Sequence, residues 1–295
     1  LATEGRDRQM PTVDGWMNVF RLSAADPVPV PDEDLRVVGE LFGGPGPESW
    51  VTHTVGDALE VMDHTGTDRA LLTVRALPAE GPGGSANLLS VEDGLTACRM
   101  ADERFRLVLH LQDVKSPRDN ACLVREVGEL DEVVALGVFP AYLGADLHDR
   151  RLYPVYEACI ERGLPVRLNL GVAGPMVPSR HQHPELLEDL LIDLPELTVI
   201  GCHMGHPYES LLVRLMIKFP RLYLMASGYL PKYFDPAVVQ FMGSSRGIGR
   251  VMFGSDHPGI PLDRALEEAR KLPIRDDALD QFLGSALCDV LGWGC

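Results

Sequence analysis

Two short runs of this chain share one design. Thr198-Val-Ile-Gly-Cys-His203-Met-Gly-His206-Pro207 is apolar until it ends in His203. Arg250-Val-Met-Phe-Gly-Ser-Asp256-His257-Pro258 is apolar until it ends in Asp256. Each reads as a buried strand that delivers a titratable side chain to its C-terminal end and then turns. An imidazole and a carboxylate brought together can move protons, with Asp256 as general base or acid and His203 as a proton shuttle or a polariser of a carbonyl.

Two more runs end on polar groups. Pro165-Val-Arg167-Leu-Asn169 closes on an amide, with Arg167 two residues earlier on the same face. Pro11-Thr-Val-Asp14-Gly-Trp16-Met-Asn18 shows Asp14, Trp16 and Asn18 to one side, because side chains alternate along a strand. Asn18 and Asn169 could donate to a developing oxyanion. Arg167 calls for a carboxylate, from the protein or from a substrate. Trp16 offers an aromatic wall. His206, His257, Arg180 and Tyr229 follow strand ends or sit in the loops beyond them, where an acidic substrate would pass. Each of these also has a plain structural use: Asp256 as a turn cap, His203 as a hydrogen-bonded lining residue, Trp16 as core, the loop residues as surface.

The elements that must hold these groups follow from periodicity. Strand-like runs fall at 12–20, 68–74, 105–111, 132–139, 165–170, 197–202, 222–226 and 251–255, and amphipathic helices lie between most of them. Ser116-Pro117 opens one helix as N-cap and first residue, and Gly163 closes another. Eight strands in regular βα alternation predict an α/β fold, a single (β/α)8 TIM barrel. Residues 1–10 read as a polar tail and 11–295 as the barrel. A loop of about thirty residues follows strand one, rich in proline and glycine, and loops of that length are usually functional. Residues 81–85 read as a second flexible loop. An extra helix over 276–291 closes the chain. A doubly wound fold is excluded, since no glycine-rich phosphate turn follows strand one.

Composition narrows the partners. The chain of 295 residues carries a net charge of −16, spread over the predicted helices. Nucleic acid and anionic membranes need a basic footprint and are not expected. No apolar run approaches the ~20 residues of a membrane span, and the first residues are too polar for a signal peptide. Six cysteines without a Cys-x-x-Cys pair are expected to be reduced, structural and cytoplasmic.

Several ordered motifs carry a resemblance. Leu164-Pro-Val with Gly171, Cys202-His203-Met-Gly-His-Pro-Tyr208 and Val251-Met-Phe-Gly-Ser-Asp256-His-Pro258 resemble the amidohydrolase-related family, in its branch of carboxymuconate-semialdehyde decarboxylase-like and pyrone-dicarboxylate lactonase-like proteins. Tyr153-Pro-Val-Tyr-Glu157, Gln182-His-Pro184, Lys218-Phe-Pro-Arg-Leu-Tyr-Leu224 and Tyr229-Leu-Pro-Lys-Tyr233 belong to the same likeness. It spans residues 130–292 and is thin before them. The resemblance implies a TIM barrel with a metal at the C-terminal face. Its strand-one ligands Asp-x-His-x-His fall on Asp14, Trp16 and Asn18, its strand-five His on Asn169, its strand-six His on His203 and its strand-eight Asp on Asp256.

Three usual histidine positions are therefore Trp16, Asn18 and Asn169. One His and one Asp cannot hold a catalytic zinc, so no metal and no other cofactor is expected. The expected activity is a metal-independent hydrolase acting on a small carbonyl compound such as a lactone or cyclic acid, with an anionic substrate among those the site could take. Asp256 handles the proton of water, and His203 with Asn169 and Asn18 polarises the carbonyl. The alternatives are a decarboxylase or dehydratase/cyclase-type lyase of the same family, and a degenerate barrel that binds a ligand without turnover. Family habit implies a homodimer.

Overall fold

A computed structural model describes residues 10–42, 46–77 and 87–294. Its centre is a parallel sheet in the order β1 (Val13–Met17), β2 (Arg69–Arg75), β4 (Phe105–His110), β5 (Val133–Val138), β6 (Val166–Asn169), β7 (Val199–Cys202), β8 (Leu222–Met225) and β9 (Val251–Met252), with the two-residue β3 (Leu89–Ser90) paired to β2 off this path. The last strand is short, and the barrel is drawn shut beyond it. Gly15 N donates to Phe253 O at 3.1 Å, Asp256 N to Trp16 O at 2.9 Å and Asn18 N to His257 O at 2.8 Å. Gly15 is required at this seam, because a Cβ there would stand 2.7 Å from Phe253 O. The fold is a TIM barrel, as the βα alternation predicts.

Alternation along each strand divides the barrel wall. Leu72, Leu107, Leu136, Val166, Val199 and Leu224 pack outward against the helices. Val13, Leu71, Val108, Ile200, Cys202, Met225 and Met252 form an inner cluster. Ala286, Leu287, Cys288 and Trp293 join that inner cluster. The C-terminal helical segment thus seals the N-terminal end of the barrel. It runs as helix, π-turn (Gln281–Ser285) and helix, and Phe282 O accepts from Phe253 N at 2.8 Å. Burial of this kind is the dominant favourable term in folding.

The structure adds to the sequence reading in three places. The long loop after β1 contains a ten-residue helix, Glu33–Phe42, and a short one, Pro47–Trp50. Asn87 fastens it, accepting from Asp32 N at 2.9 Å and donating to Val30 O at 2.9 Å. The helix that Gly163 closes runs over Tyr153–Arg162. Cys98, Cys159 and Cys202 are buried free thiols and Cys122 an exposed one, but Cys288 is disulfide-bonded, against the expectation of reduced cysteines throughout. Most of the expected polar tail over 1–10 and the whole loop at 81–85 lie outside the described residues. Among the described residues no helix is long and apolar enough to cross a membrane.

Candidate active site

The C-terminal ends of β1, β6, β7, β8 and β9 bring the polar groups together. His203 follows β7 directly and Asp256 lies four residues past β9. Both have left-handed backbones, φ 55° at His203 and φ 70° at Asp256, and Met204 follows at φ 55°. Such conformations cost non-glycine residues roughly 1–2 kcal/mol each and gather at functional sites. Gly228, just past β8, is the spacer between the two. Its φ is 75°, and a Cβ there would lie 3.0 Å from His203 Nδ1 and 3.5 Å from Asp256 Oδ2.

Each side chain has a definite hydrogen-bonding state. His203 Nδ1 lies 3.3 Å from Ser227 O and 3.2 Å from Ser227 Oγ. A carbonyl only accepts, so the contact assigns the ring proton to Nδ1 and leaves a lone pair on Nε2. Burial lowers the pKa of His203 below the usual imidazole range, against the opposing pull of Asp256, and keeps the ring neutral. Asp256 Oδ1 accepts from Asn18 Nδ2 at 2.8 Å. Asn18 Nδ2 also reaches His257 O at 3.1 Å, and its Oδ1 accepts from Trp16 Nε1 at 3.3 Å.

These bonds revise two expected roles. His203 has committed its N–H to Ser227, and Asn18 its N–H groups to Asp256 and His257 O. Neither is left to donate to a substrate carbonyl. Asn169 is different. It is buried, its Oδ1 has no partner among the described residues, and its side chain makes no hydrogen bond to them. Of the three polarising groups expected, Asn169 alone keeps a donor to spend.

Below this layer lie Trp16 and Arg167. The Trp16 ring stacks on Phe139 at 5.8 Å and tilts against His203 at 4.5 Å. Arg167 Cζ sits 3.8 Å from the centre of the Trp16 ring. Arg167 is 1% exposed and donates to Gly15 O at 3.1 Å and to Thr73 Oγ1. Burial lowers its pKa to about 10. It is thus screened from the mouth by Trp16, which departs from the expected direct contact with substrate. Asp14 is deeper still. Burial raises its carboxyl to about 6, although Ser255 and the Trp16 N–H bond to it.

The other candidates stand at the rim. His206 pairs with Glu209 at 2.7 Å and its ring lies 5.1 Å from Tyr229. Arg180 is exposed on the turn Ser179–Gln182. The His257 ring turns away toward His53, at 4.7 Å, and its Nδ1 accepts from Leu262 N. What His257 contributes to the site is its backbone carbonyl. Sequence reasoning missed Ser227, Gly228, Ser255 and Thr73. The Gly-Ser-Asp256 run contained the signal for Ser255, since a hydroxyl next to a strand-end acid can hold its neighbours.

A family model described as amidohydrolase matches residues 49–286, and the chain belongs to that family. No curated protein matches it. Among solved structures, an uncharacterised TIM-barrel protein from Bordetella bronchiseptica is similar at a TM-score of 0.75 and 22% identity, over 96% of this chain and 98% of that one. 5-Carboxyvanillate decarboxylase from Novosphingobium aromaticivorans, complexed with manganese and 4-hydroxy-3-methoxy-5-nitrobenzoic acid, reaches 0.71 at 16% identity, over 98% and 97%. 2,6-Dihydroxybenzoate decarboxylase from Rhizobium reaches 0.65 at 13% identity, over 96% and 99%. At these identities the likeness carries the fold.

The donor set does not fit such a metal ion. Among the described residues no group of three or more His, Cys, Asp or Glu side chains converges on one point. Trp16 offers no lone pair, and Asn18 turns its N–H groups toward the Asp256 carboxylate, the reverse of a ligand's orientation.

Proposed function

We propose that this chain is an amidohydrolase-family enzyme that hydrolyses a small carbonyl compound, a lactone or cyclic acid, by metal-independent proton transfer at the barrel mouth. The observation that carries this reading is the pairing of two proton acceptors across Gly228: the Asp256 carboxylate, held by Asn18, and the neutral His203 with its lone pair on Nε2. Two acceptors suit the activation of water. Asp256 takes the proton of the attacking water and returns it to the leaving oxygen as the acyl C–O bond breaks, while His203 Nε2 accepts a hydrogen bond from the same water. Asn169 donates to the carbonyl oxygen as charge develops on it. In this reading Arg180 and Tyr229, in the loops beyond the strand ends, bind a substrate carboxylate.

A second reading is favoured by the solved relatives, two of which are named decarboxylases. In it the same mouth loses CO2 from a small aromatic acid, and the site must deliver a proton to carbon. That asks for a protonated acid where the geometry holds two acceptors, so hydrolysis is put first. One experiment separates the two. A panel of lactones and hydroxybenzoic acids is incubated with the enzyme in 18O-water. Hydrolysis places one heavy oxygen in the product acid. Release of CO2 with no label in the aromatic product would overturn the first reading in favour of the second. A barrel that binds a panel member and turns none over would overturn both.

A further inference from the structure

Arg167 stands in the barrel interior and belongs to none of the ion pairs among the described residues. Its guanidinium uses one nitrogen on Gly15 O and one on Thr73 Oγ1, and Nε is buried without a partner. Burying a charge with so few partners costs stability, and an apolar side chain of similar length would avoid that cost. Packing therefore does not account for an arginine here. Its surroundings do. Asp14 and Asp256 both act on the guanidinium from beyond hydrogen-bond distance. The centre of the Trp16 ring lies 3.8 Å from its Cζ, and Asn169 stands two residues further along the same strand. Trp16 and Asn169 are two of the positions at which the family resemblance expects metal ligands.

We propose that Arg167, capped by Trp16, is the resident cation of this barrel: a positioning residue whose fixed charge serves the acids of the mouth in place of a divalent ion and keeps such an ion out. This rests on the metal-independent reading of the site and deepens it.

The test needs no turnover, so it does not depend on finding a substrate. Zn2+ and Mn2+ are titrated by calorimetry into three proteins: wild type, Asn169→His, and Asn169→His with Arg167→Met. Asn169→His brings the potential ligands to three together with His203 and Asp256, the minimum for a catalytic zinc site. A fixed positive charge beneath the site repels a divalent ion held there, and the more so where the dielectric is low. Zinc is therefore expected to bind the double variant at least about tenfold more tightly than Asn169→His alone. Equal affinity in the two would overturn the proposal and leave the metal-independent reading standing. Stoichiometric zinc or manganese in wild type, lost in His203→Ala, would overturn that reading and the proposal with it. Arg167→Met alone guards against misfolding. It is expected to melt no lower than wild type, and a Tm lower by about 5 °C or more would make Arg167 a structural prop and overturn the proposal.

Discussion

Asp256 combines a left-handed backbone, a hydrogen bond from Asn18 and a place beside neutral His203. Asparagine tolerates positive φ and can keep an oxygen toward Asn18 Nδ2. Asp256→Asn is accordingly expected to fold with a Tm close to wild type while kcat falls at least about 100-fold, the range of a lost general base. Kinetics and a melting curve on the same sample check both halves. Asp14 gives a prediction of another kind. Its carboxyl is raised to about 6 in the fold from an ordinary 3.8. The native state therefore holds this proton more tightly, and the stability it contributes is full below pH 3.8 and is lost as pH rises through about 6. The difference is worth about 3 kcal/mol. Asp14→Asn keeps the shape without the charge, so it is expected to gain stability over wild type above pH 6 and to match it near pH 4. Urea melts at the two pH values decide this, and parallel profiles would contradict it.

At the scale of elements, the turns after the strands decide the site. Gly228 has φ 75° and no room for a Cβ beside His203 Nδ1. Gly228→Ala is expected to cost about 1–2 kcal/mol through the backbone and to lower kcat by pushing His203 aside. The loop after β1 has a larger reach. β1 and β6 stand on opposite sides of the barrel in the strand order. Yet Val38 of the helix Glu33–Phe42 lies against Gly174 in the loop after β6, 3.1 Å from where a Cβ would stand. The helix therefore reaches the loop after β6. Asn87 ties its entry with two hydrogen bonds. Asn87→Ala is expected to raise hydrogen exchange over 28–42 while the barrel strands keep their protection, at a cost of about 1–3 kcal/mol for the groups left unpaired.

Much of this was legible in the chain because strands end abruptly. An apolar run that stops at His203, Asn169 or Asp256 reveals both the element and the end at which chemistry collects. The inward face of Asp14, Trp16 and Asn18 followed from alternation. The direction of hydrogen bonding was not legible. Whether Asn18 donates or accepts depends on Asp256, 238 positions away, and no local pattern encodes that. The same holds for Gly228, whose role is set by two side chains from other strands. The helix Glu33–Phe42 was hidden because proline and glycine on either side of it read as loop.

For the whole molecule, the closing of the barrel places neutral histidines at its upper rim. Burial lowers both His53 and His257, the latter to about 4. The unfolded chain then binds more protons between pH 6.5 and 4, so stability present above pH 6.5 is lost as pH falls through that window. The change is opposite in sign to that of Asp14. His257→Asn is expected to flatten the acid side of the stability curve by up to about 3 kcal/mol, read from urea melts between pH 7 and 4.5.

Asp256 and His203 are proposed to transfer protons without a metal, and turnover must then be independent of one. That independence is tested most directly by measuring turnover and metal content on one sample, with the first panel compound found to react. Full activity after exhaustive chelation, at far less than one equivalent of zinc, manganese or iron, is the predicted result. Activity that disappears with the chelator and returns on adding one equivalent of Zn2+ or Mn2+ would contradict it.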